Sequence, residues 1–399
     1  MISQRQLFLQ HVAQTSDTPL MLEIVEASGI TLTDINGKQF TDLISGISVS
    51  NLGHRHPKVV QAIKEQADQY MHLMVYGEYV QSPQVKLASL LAKQTPGIDS
   101  YFFVNSGTEA IEGCMKLARR YTKRKKIIAC RKAYHGSSIG ALSLCSDENL
   151  TSPFQPLLSH VEFIDFNDTT ELEKIDHDTA CVFVEIVQGE AGAINGNKDF
   201  ITALRAQCTL SGALMIVDEI QTGFGRTGSL FAFMQHSLQP DIIAIAKGMG
   251  GGMPLGAFGA PKHIMQVLSH DPALGHITTF GGNPVCCSAS LATLETLLNS
   301  DLISSVPEKE TIVRNKLIHP AIKNITGKGL LLGVQFESAE MNQRIITKCI
   351  SNGVITDWFL FASDKMRIAP PLIISNEELE KACVVILKSI EEVSSYKRN

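Results

Sequence analysis

Three short apolar runs, ACVFVEIV (180–187), ALMIVDEI (213–220) and DIIAIAK (241–247), decide how this chain folds. Each has the length of a strand, and the segment 198–211 between the first two repeats its apolar residues at helical spacing. Working outward, YFFV (101–104), KIIAC (126–130) and VEFIDF (161–166) are runs of the same kind, and 108–121 is a further helical segment. Continuous apolar strands alternating with helices predict an α/β fold with a mostly parallel central sheet covered on both faces. Upstream, 57–73 and 82–95 read as helices, each with a proline in its first turn. After about 285 the pattern becomes helix-rich again (283–300, 339–352 and 376–396), with the strand-like piece LLLGVQF at 330–336. The layout predicts a large domain over 51–285 and a smaller α+β domain built from both chain ends, 1–50 and 286–399.

The 399 residues suit two domains sharing a cleft. A 44% hydrophobic and 19% charged composition with net charge −5 gives no reason to expect nucleic acid or an acidic membrane surface as a partner. The first residues, MISQRQLFLQHVAQTSDTP, lack a basic region leading into an apolar core, so no signal peptide is expected. Charges and glycines interrupt every apolar run before it reaches spanning length. The nine cysteines are scattered and lack C-x-x-C pairs, which fits reduced residues of a cytoplasmic protein and no metal site.

In sheets of this kind ligands bind beyond the carboxyl ends of the strands, so the chemistry is sought there. YFFV runs into NSGTEA and then a helix with Ala110, Cys114, Leu117, Ala118 and Tyr121 on one face. Gly107 and Thr108 offer amide N–H groups at that helix N-terminus, a seat for a phosphate or simply a helix cap. Asp218 ends ALMIV and is costly to bury unless a cation or hydrogen-bond donor meets it; otherwise it caps the next turn. Gln221, Gly223 and Gly225 follow in a loosened loop. Lys247 closes DIIAIA and precedes Gly248, Gly250, Gly251 and Gly252. Apolar surroundings depress a lysine pKa and expose the neutral amine needed for Schiff-base chemistry, whereas a lysine snorkelling to solvent needs no such setting. Tyr134 could cover a planar ring or belong to the core, and His135 reads as a satisfied, partly buried histidine. Arg367, between apolar residues in MRIAPPLI, pairs with a carboxylate of either the protein or a substrate.

A phosphate seat, a ring-covering aromatic, an acid and a lysine together suit pyridoxal phosphate. On these residues the chain resembles the class III (ω-amino acid) aminotransferases of fold type I, among them ornithine, acetylornithine and 4-aminobutyrate aminotransferases. The resemblance runs from GISVSNLGHRHPKVVQAI through NSGTEA, AYHG, VEIVQGEAG, IVDEIQTGFGRTG, AKGMGGGMPLGA and TTFGGNPV to RIAPPLII. It implies that Lys247 carries the cofactor and acts as general base. Asp218 would keep the pyridine nitrogen protonated, Gln221 would lie near the phenolic oxygen, and Tyr134 would stack on the ring. Ser106, Gly107 and Thr108 would bind the phosphate, with Thr279 reaching the phosphate of a neighbouring subunit in a homodimer. Glu185 would sit close to the cofactor. The reaction implied is ping-pong transfer of an amino group from a small ω-amino donor to a 2-oxo acid such as 2-oxoglutarate.

On the substrate side, the resemblance assigns Arg367 to an α-carboxylate and Glu190 to pairing with that arginine when an ω-amine donor is bound. Thr278 joins the substrate residues by the same resemblance. Two positions depart from the pattern: His135-Gly136-Ser137-Ser138 stands where relatives read H-G-R, and Ile47 stands where ornithine-specific relatives have tyrosine. Ser137 therefore leaves open what holds a distal carboxylate, and Ile47 fits 4-aminobutyrate-like or broader donors. An aminomutase or racemase of the same fold, or a silent cofactor-binding protein, is the alternative; the GTEA loop lacks the dinucleotide and P-loop patterns of a nucleotide-binding protein.

Overall fold

A computed structural model describes residues 2–395. Its centre is a seven-stranded sheet of β1 (Ser100–Val104), β2 (Lys126–Cys130), β3 (Val161–Ile164), β4 (Thr179–Glu185), β5 (Leu214–Asp218), β6 (Ile242–Ile245) and β7 (Gly256–Ala260), in the order β1-β7-β6-β5-β4-β2-β3. From β6 to β3 every pairing is parallel, and β7 runs antiparallel to both β6 and β1. The three central apolar runs thus become strands buried along their length, as a sheet covered on both faces requires, while β1 and β3 at the two edges are partly buried.

Successive side chains of a strand point to opposite faces, and the core divides accordingly. Val182, Val184, Met215, Val217, Ile243 and Ile245 enter one apolar cluster, while Cys181, Phe183, Leu214, Ile216, Ile242 and Ala244 enter the other. Helix α1 (Gly107–Thr122) closes the second face with Ala110, Cys114, Leu117 and Ala118. Helix α2 (Lys198–Ser211) closes the first with Phe200, Leu204 and Cys208. Each large side chain sequestered in this way contributes roughly 1.5–3 kcal/mol. All nine cysteines are free and buried, several of them as core residues of these layers.

The expected helix 57–73 is Pro57–Gln69: Tyr70 is extended (φ −168°), and the Gln66 side chain donates to the Tyr70 carbonyl to close the end. Helix α3 (Pro284–Leu298) packs on Pro57–Gln69 and on Ser82–Gln94. The helix expected at 376–396 covers Asn376–Ser395, and residue 396 lies outside the described residues. Strand β7, GAFGA, was not among the expected strands, because two glycines and two alanines around Phe258 give no apolar run.

The chain ends meet in a four-stranded sheet, where 354–355 pairs in parallel with Gln39–Asp42. A second four-stranded sheet holds Asn324–Lys328, Leu331–Gln335, 358–359 and Ala362–Ile368. Arg226, fully buried, joins these parts: Nη1 donates to the carbonyls of Leu330 (3.0 Å) and Pro370 (2.5 Å), and Nη2 to Ser45 Oγ (3.1 Å) and to Asn51 Oδ1. No described helix is long and apolar enough to cross a membrane.

Candidate active site

A cavity of about 560 Å³ opens at the carboxyl ends of the parallel strands. Its wall includes Ser106, Gly107 and Thr108 after β1, Tyr134, His135 and Ser137 after β2, and Glu185 and Glu190 from the end of β4 and the turn beyond it. Asp218 and Gln221 follow β5, and Lys247 follows β6. Four of the expected residues stand outside this wall. Arg367 lies behind Glu190, and Ile47 sits in a tight segment at φ +61° with Val49 on the wall instead. Thr278 Oγ1 accepts from Asn105 Nδ2 at 3.0 Å, and Thr279 is exposed.

Lys247 lies two residues beyond β6 and opens a short turn over 247–250 at φ +48°, a left-handed conformation unusual for a side-chain-bearing residue. Its amine points among charges of both signs. Burial, the largest effect, draws the ammonium pKa down, and Arg367 adds to this. Glu190, Asp218 and Glu185 oppose the shift without cancelling it. The net result favours the neutral, nucleophilic amine.

Asp218 finds its cation in His135, whose Nδ1 lies 2.7 Å from Asp218 Oδ2 with the imidazole fully buried. Asp218 Oδ1 accepts from the Ile220 amide at 2.9 Å. Burial pulls the His135 pKa down, but the hydrogen bond and charge of Asp218 outweigh it and hold the ring towards its protonated form. Sequence reasoning took His135 for a partly buried, satisfied residue; a contact spanning 83 positions has no local signature. Glu185 is the register neighbour of Asp218 on β4. Burial, followed by charge effects among which His135 opposes and Asp218 reinforces, pushes its carboxyl up to about 8.

At the start of α1, Ser106 Oγ caps the Glu109 amide at 3.3 Å. The amides of Gly107 and Thr108 remain as the helix's free first-turn donors beside the cavity. Thr108 Oγ1 meets Ser138 Oγ at 2.6 Å, and Ser138 donates on to Glu112 at 2.6 Å, so the loop after β2 is tied to this helix. Gly136 (φ +134°) is required here, since a Cβ would come within 2.5 Å of Thr108 Oγ1. Tyr134 is half-buried, with its hydroxyl 2.8 Å from Ser137 Oγ.

Glu190 sits on the turn that joins the short strands 187–188 and 194–195. Its Oε2 accepts from Arg367 Nη2 at 3.0 Å and from the Leu360 amide at 3.1 Å, and Oε1 lies 3.0 Å from Arg367 Nη1. Gln221 Nε2 reaches Glu190 Oε1 at 3.4 Å, linking this pair to the cavity wall. Burial alone would raise the Glu190 pKa, but Arg367 and the Leu360 amide bring it below the usual carboxylate value. On its other edge, Arg367 Nε faces Asp357 Oδ1 at 2.9 Å, and the guanidinium covers the Phe359 ring at 4.5 Å. Burial lifts Asp357 to about 6, with Arg367 opposing. Asp357 carries no motif that would have picked it out, and Arg226, although inside IVDEIQTGFGRTG, shows its role only through acceptors from distant segments.

A family model described as aminotransferase class-III matches residues 12–390. The acetylornithine aminotransferase of Archaeoglobus fulgidus is 38% identical over 380 residues, covering 95% of this chain and 98% of that relative. The acetylornithine aminotransferase of Methanopyrus kandleri is 38% identical over 376 residues, covering 93% and 94%. Among solved structures, an ornithine aminotransferase from Toxoplasma gondii superposes with a TM-score of 0.92 at 29% identity, covering 98% of this chain and 94% of that one. An (S)-enantioselective omega-transaminase from Thermomicrobium roseum gives 0.90 at 28% identity, with 96% of each chain covered.

Proposed function

The chain belongs to the class-III aminotransferase family, and on that premise we propose that it moves an amino group from an ω-amine donor to 2-oxoglutarate in two half-reactions sharing one cavity. It is a pyridoxal-phosphate-dependent transaminase of fold type I. The residues present suit that cofactor: two free amides at a helix N-terminus, a lysine biased towards its neutral form, and a buried carboxylate are the donors and acceptors it needs. When bound, the cofactor supplies a carbonyl carbon that takes up the donor's nitrogen and a ring that draws electrons from the carbon losing its proton.

The protein's own groups divide the remaining work. Gly107 and Thr108 would hold the phosphate through their amides, aided by Ser106. Asp218, fixed by His135, would present a carboxylate to the ring nitrogen, while Tyr134 would cover the ring and Gln221 would meet its phenolic oxygen. Lys247 would anchor the cofactor, and its Nζ would serve as the base that takes the proton from the reacting carbon.

The observation that carries the donor assignment is the Glu190–Arg367 pair. With an ω-amine donor bound, Glu190 neutralises the buried guanidinium. With glutamate or 2-oxoglutarate bound, the α-carboxylate takes that place, so neither half-reaction leaves the guanidinium uncompensated. The donor is of the ornithine, acetylornithine or 4-aminobutyrate type. Among the described residues Lys247 is the only lysine or arginine on the cavity wall, and Ser137 lines its rim without a charge, so a distal carboxylate of the donor meets no cation at that position.

We take the active unit to be a cytoplasmic homodimer, with the domain division at about residues 50 and 285. Support for a partner comes from exposed Met71, Met74, Val80, Ile277 and Phe280, on segments joined by the Asn283–Met71 hydrogen bond, and from exposed Thr279 in their midst. The test is optical. The yellow holoenzyme is mixed with ornithine, acetylornithine, 4-aminobutyrate, lysine and diamines; a true donor removes the absorbance and 2-oxoglutarate restores it. A protein bleached by none of them, or not restored by 2-oxoglutarate, overturns this reading.

A further inference from the structure

Asp218 and Glu185 stand side by side where β5 and β4 end, two carboxyl groups in parallel register and both buried. Such neighbours cannot both carry charge unless each has its own cation or hydrogen-bond donors. Asp218 has His135 and the Ile220 amide. Glu185 has one donor, the Gly189 amide at 3.1 Å from Oε1. Its Oε2 is buried on the cavity wall and meets no hydrogen-bond partner among the described residues.

Among the described residues, the groups facing Glu185 offer no second cation within hydrogen-bond reach. His135, from the loop after β2, is engaged by Asp218 through Nδ1. Cys130, at the end of β2, is uncharged, its thiol pushed up by burial. Glu190, on the turn beyond β4, adds a like charge and is committed to Arg367. Lys247, after β6, makes no hydrogen bond to Glu185, and burial draws its pKa down.

We propose that Glu185 serves this cavity as a hydrogen-bond donor, a neutral carboxylic acid whose Oε2 carries the proton and offers it to an acceptor atom of the bound cofactor. The inference rests on the reading that this cavity holds pyridoxal phosphate, and it is independent of which amine is the donor. As an anion, Oε2 would add a third charge to a wall that already carries Asp218 and Glu190. As an acid, it removes that repulsion and gains a partner only when the cofactor is in place. The upward displacement of the Glu185 carboxyl to about 8 agrees with the geometry.

The experiment uses apoprotein titrated with pyridoxal phosphate and no amine. Glu185→Gln keeps shape, neutrality and a donor, whereas Glu185→Leu keeps only bulk. Affinity for the cofactor should fall by less than about threefold in E185Q and by about tenfold or more in E185L, the loss of one buried hydrogen bond. Equal losses in the two variants overturn the proposal, since an anionic role is abolished by both. Infrared difference spectra give a second readout. At about pH 7 the wild-type holoenzyme should show a protonated-carboxyl band that E185Q lacks, which sets it apart from the buried Glu219 and Asp357 carboxyls present in both. Identical carboxyl bands in wild type and E185Q also overturn it. Failure of every donor in the amine panel, with these results intact, would refute the donor assignment alone.

Discussion

Replacing Glu190 with alanine separates the two half-reactions. Arg367 is 2% exposed and loses both 3.0 Å contacts to the Glu190 carboxylate. Removing one partner of a buried ion pair costs about 3–5 kcal/mol when the other is left uncompensated. Here Asp357 at 2.9 Å and the Trp358 carbonyl at 3.1 Å remain, so the cost is reduced to roughly 2 kcal/mol, about thirtyfold. An ω-amine donor brings no carboxylate on its reacting carbon, and its half-reaction should lose about that factor in kcat/KM. Glutamate supplies its own carboxylate to the vacated guanidinium, so its half-reaction should be unchanged or faster. Stopped-flow mixing of the holoenzyme with each amine alone, followed by cofactor absorbance, measures both. Equal losses with the two amines would refute the exchange of Glu190 for substrate at Arg367.

Lys247→Ala should still bind the cofactor, held by the helix amides and Asp218, while turnover falls by about 10²–10⁴-fold; borohydride trapping and mass spectrometry should find the adduct in the wild type and none in the variant. Arg226→Met leaves the Leu330 and Pro370 carbonyls, Ser45 and Asn51 without their buried donor and should cost roughly 3 kcal/mol or more in denaturant unfolding. His135 has a folded pKa raised above its ordinary 6.5, so its contribution to stability is full below that value and lost as pH rises through the folded pKa. The stability gap between wild type and His135→Asn should therefore be widest below the ordinary value of 6.5 and narrow as pH rises above it, and a gap that widens with pH would contradict the assignment. Gly189→Ala places a Cβ 1.6 Å from Gln221 Oε1 and should displace Gln221, lowering kcat/KM tenfold or more with unchanged circular dichroism.

Strand-end chemistry was legible because the signals are local. Lys247, Asp218 and the Gly107–Thr108 turn each follow an apolar run, and the run itself announces where the sheet stops. KIIAC matched its strand at both ends, since Lys126 and the turn after Cys130 bound it. GAFGA escaped notice: its burial comes from lying between two other strands, and its own composition carries little apolar signal. The same holds for His135, Asp357 and Arg226. Each is defined by a partner brought near by folding, and a single sequence read along its length does not display such pairs. Glu190 shows the boundary, for its pairing with Arg367 was implied by resemblance while its contact with Gln221 emerged only from geometry.

The Arg226 clasp also bears on the order in which the protein is made. Synthesis delivers Ser45 and Asn51 early, the loop 221–228 midway, and the carbonyls of Leu330 and Pro370 only near the end. Until residue 370 has emerged, the guanidinium has no complete set of acceptors, and the loop that carries both Gln221 and Arg226 lacks its far anchor. Among the described residues, none that lines the cavity lies beyond Leu255. Even so, a nascent or truncated chain that stops short of Pro370 would present the lysine and its neighbours without the brace that sets them, so the pocket is finished by residues outside its own lining.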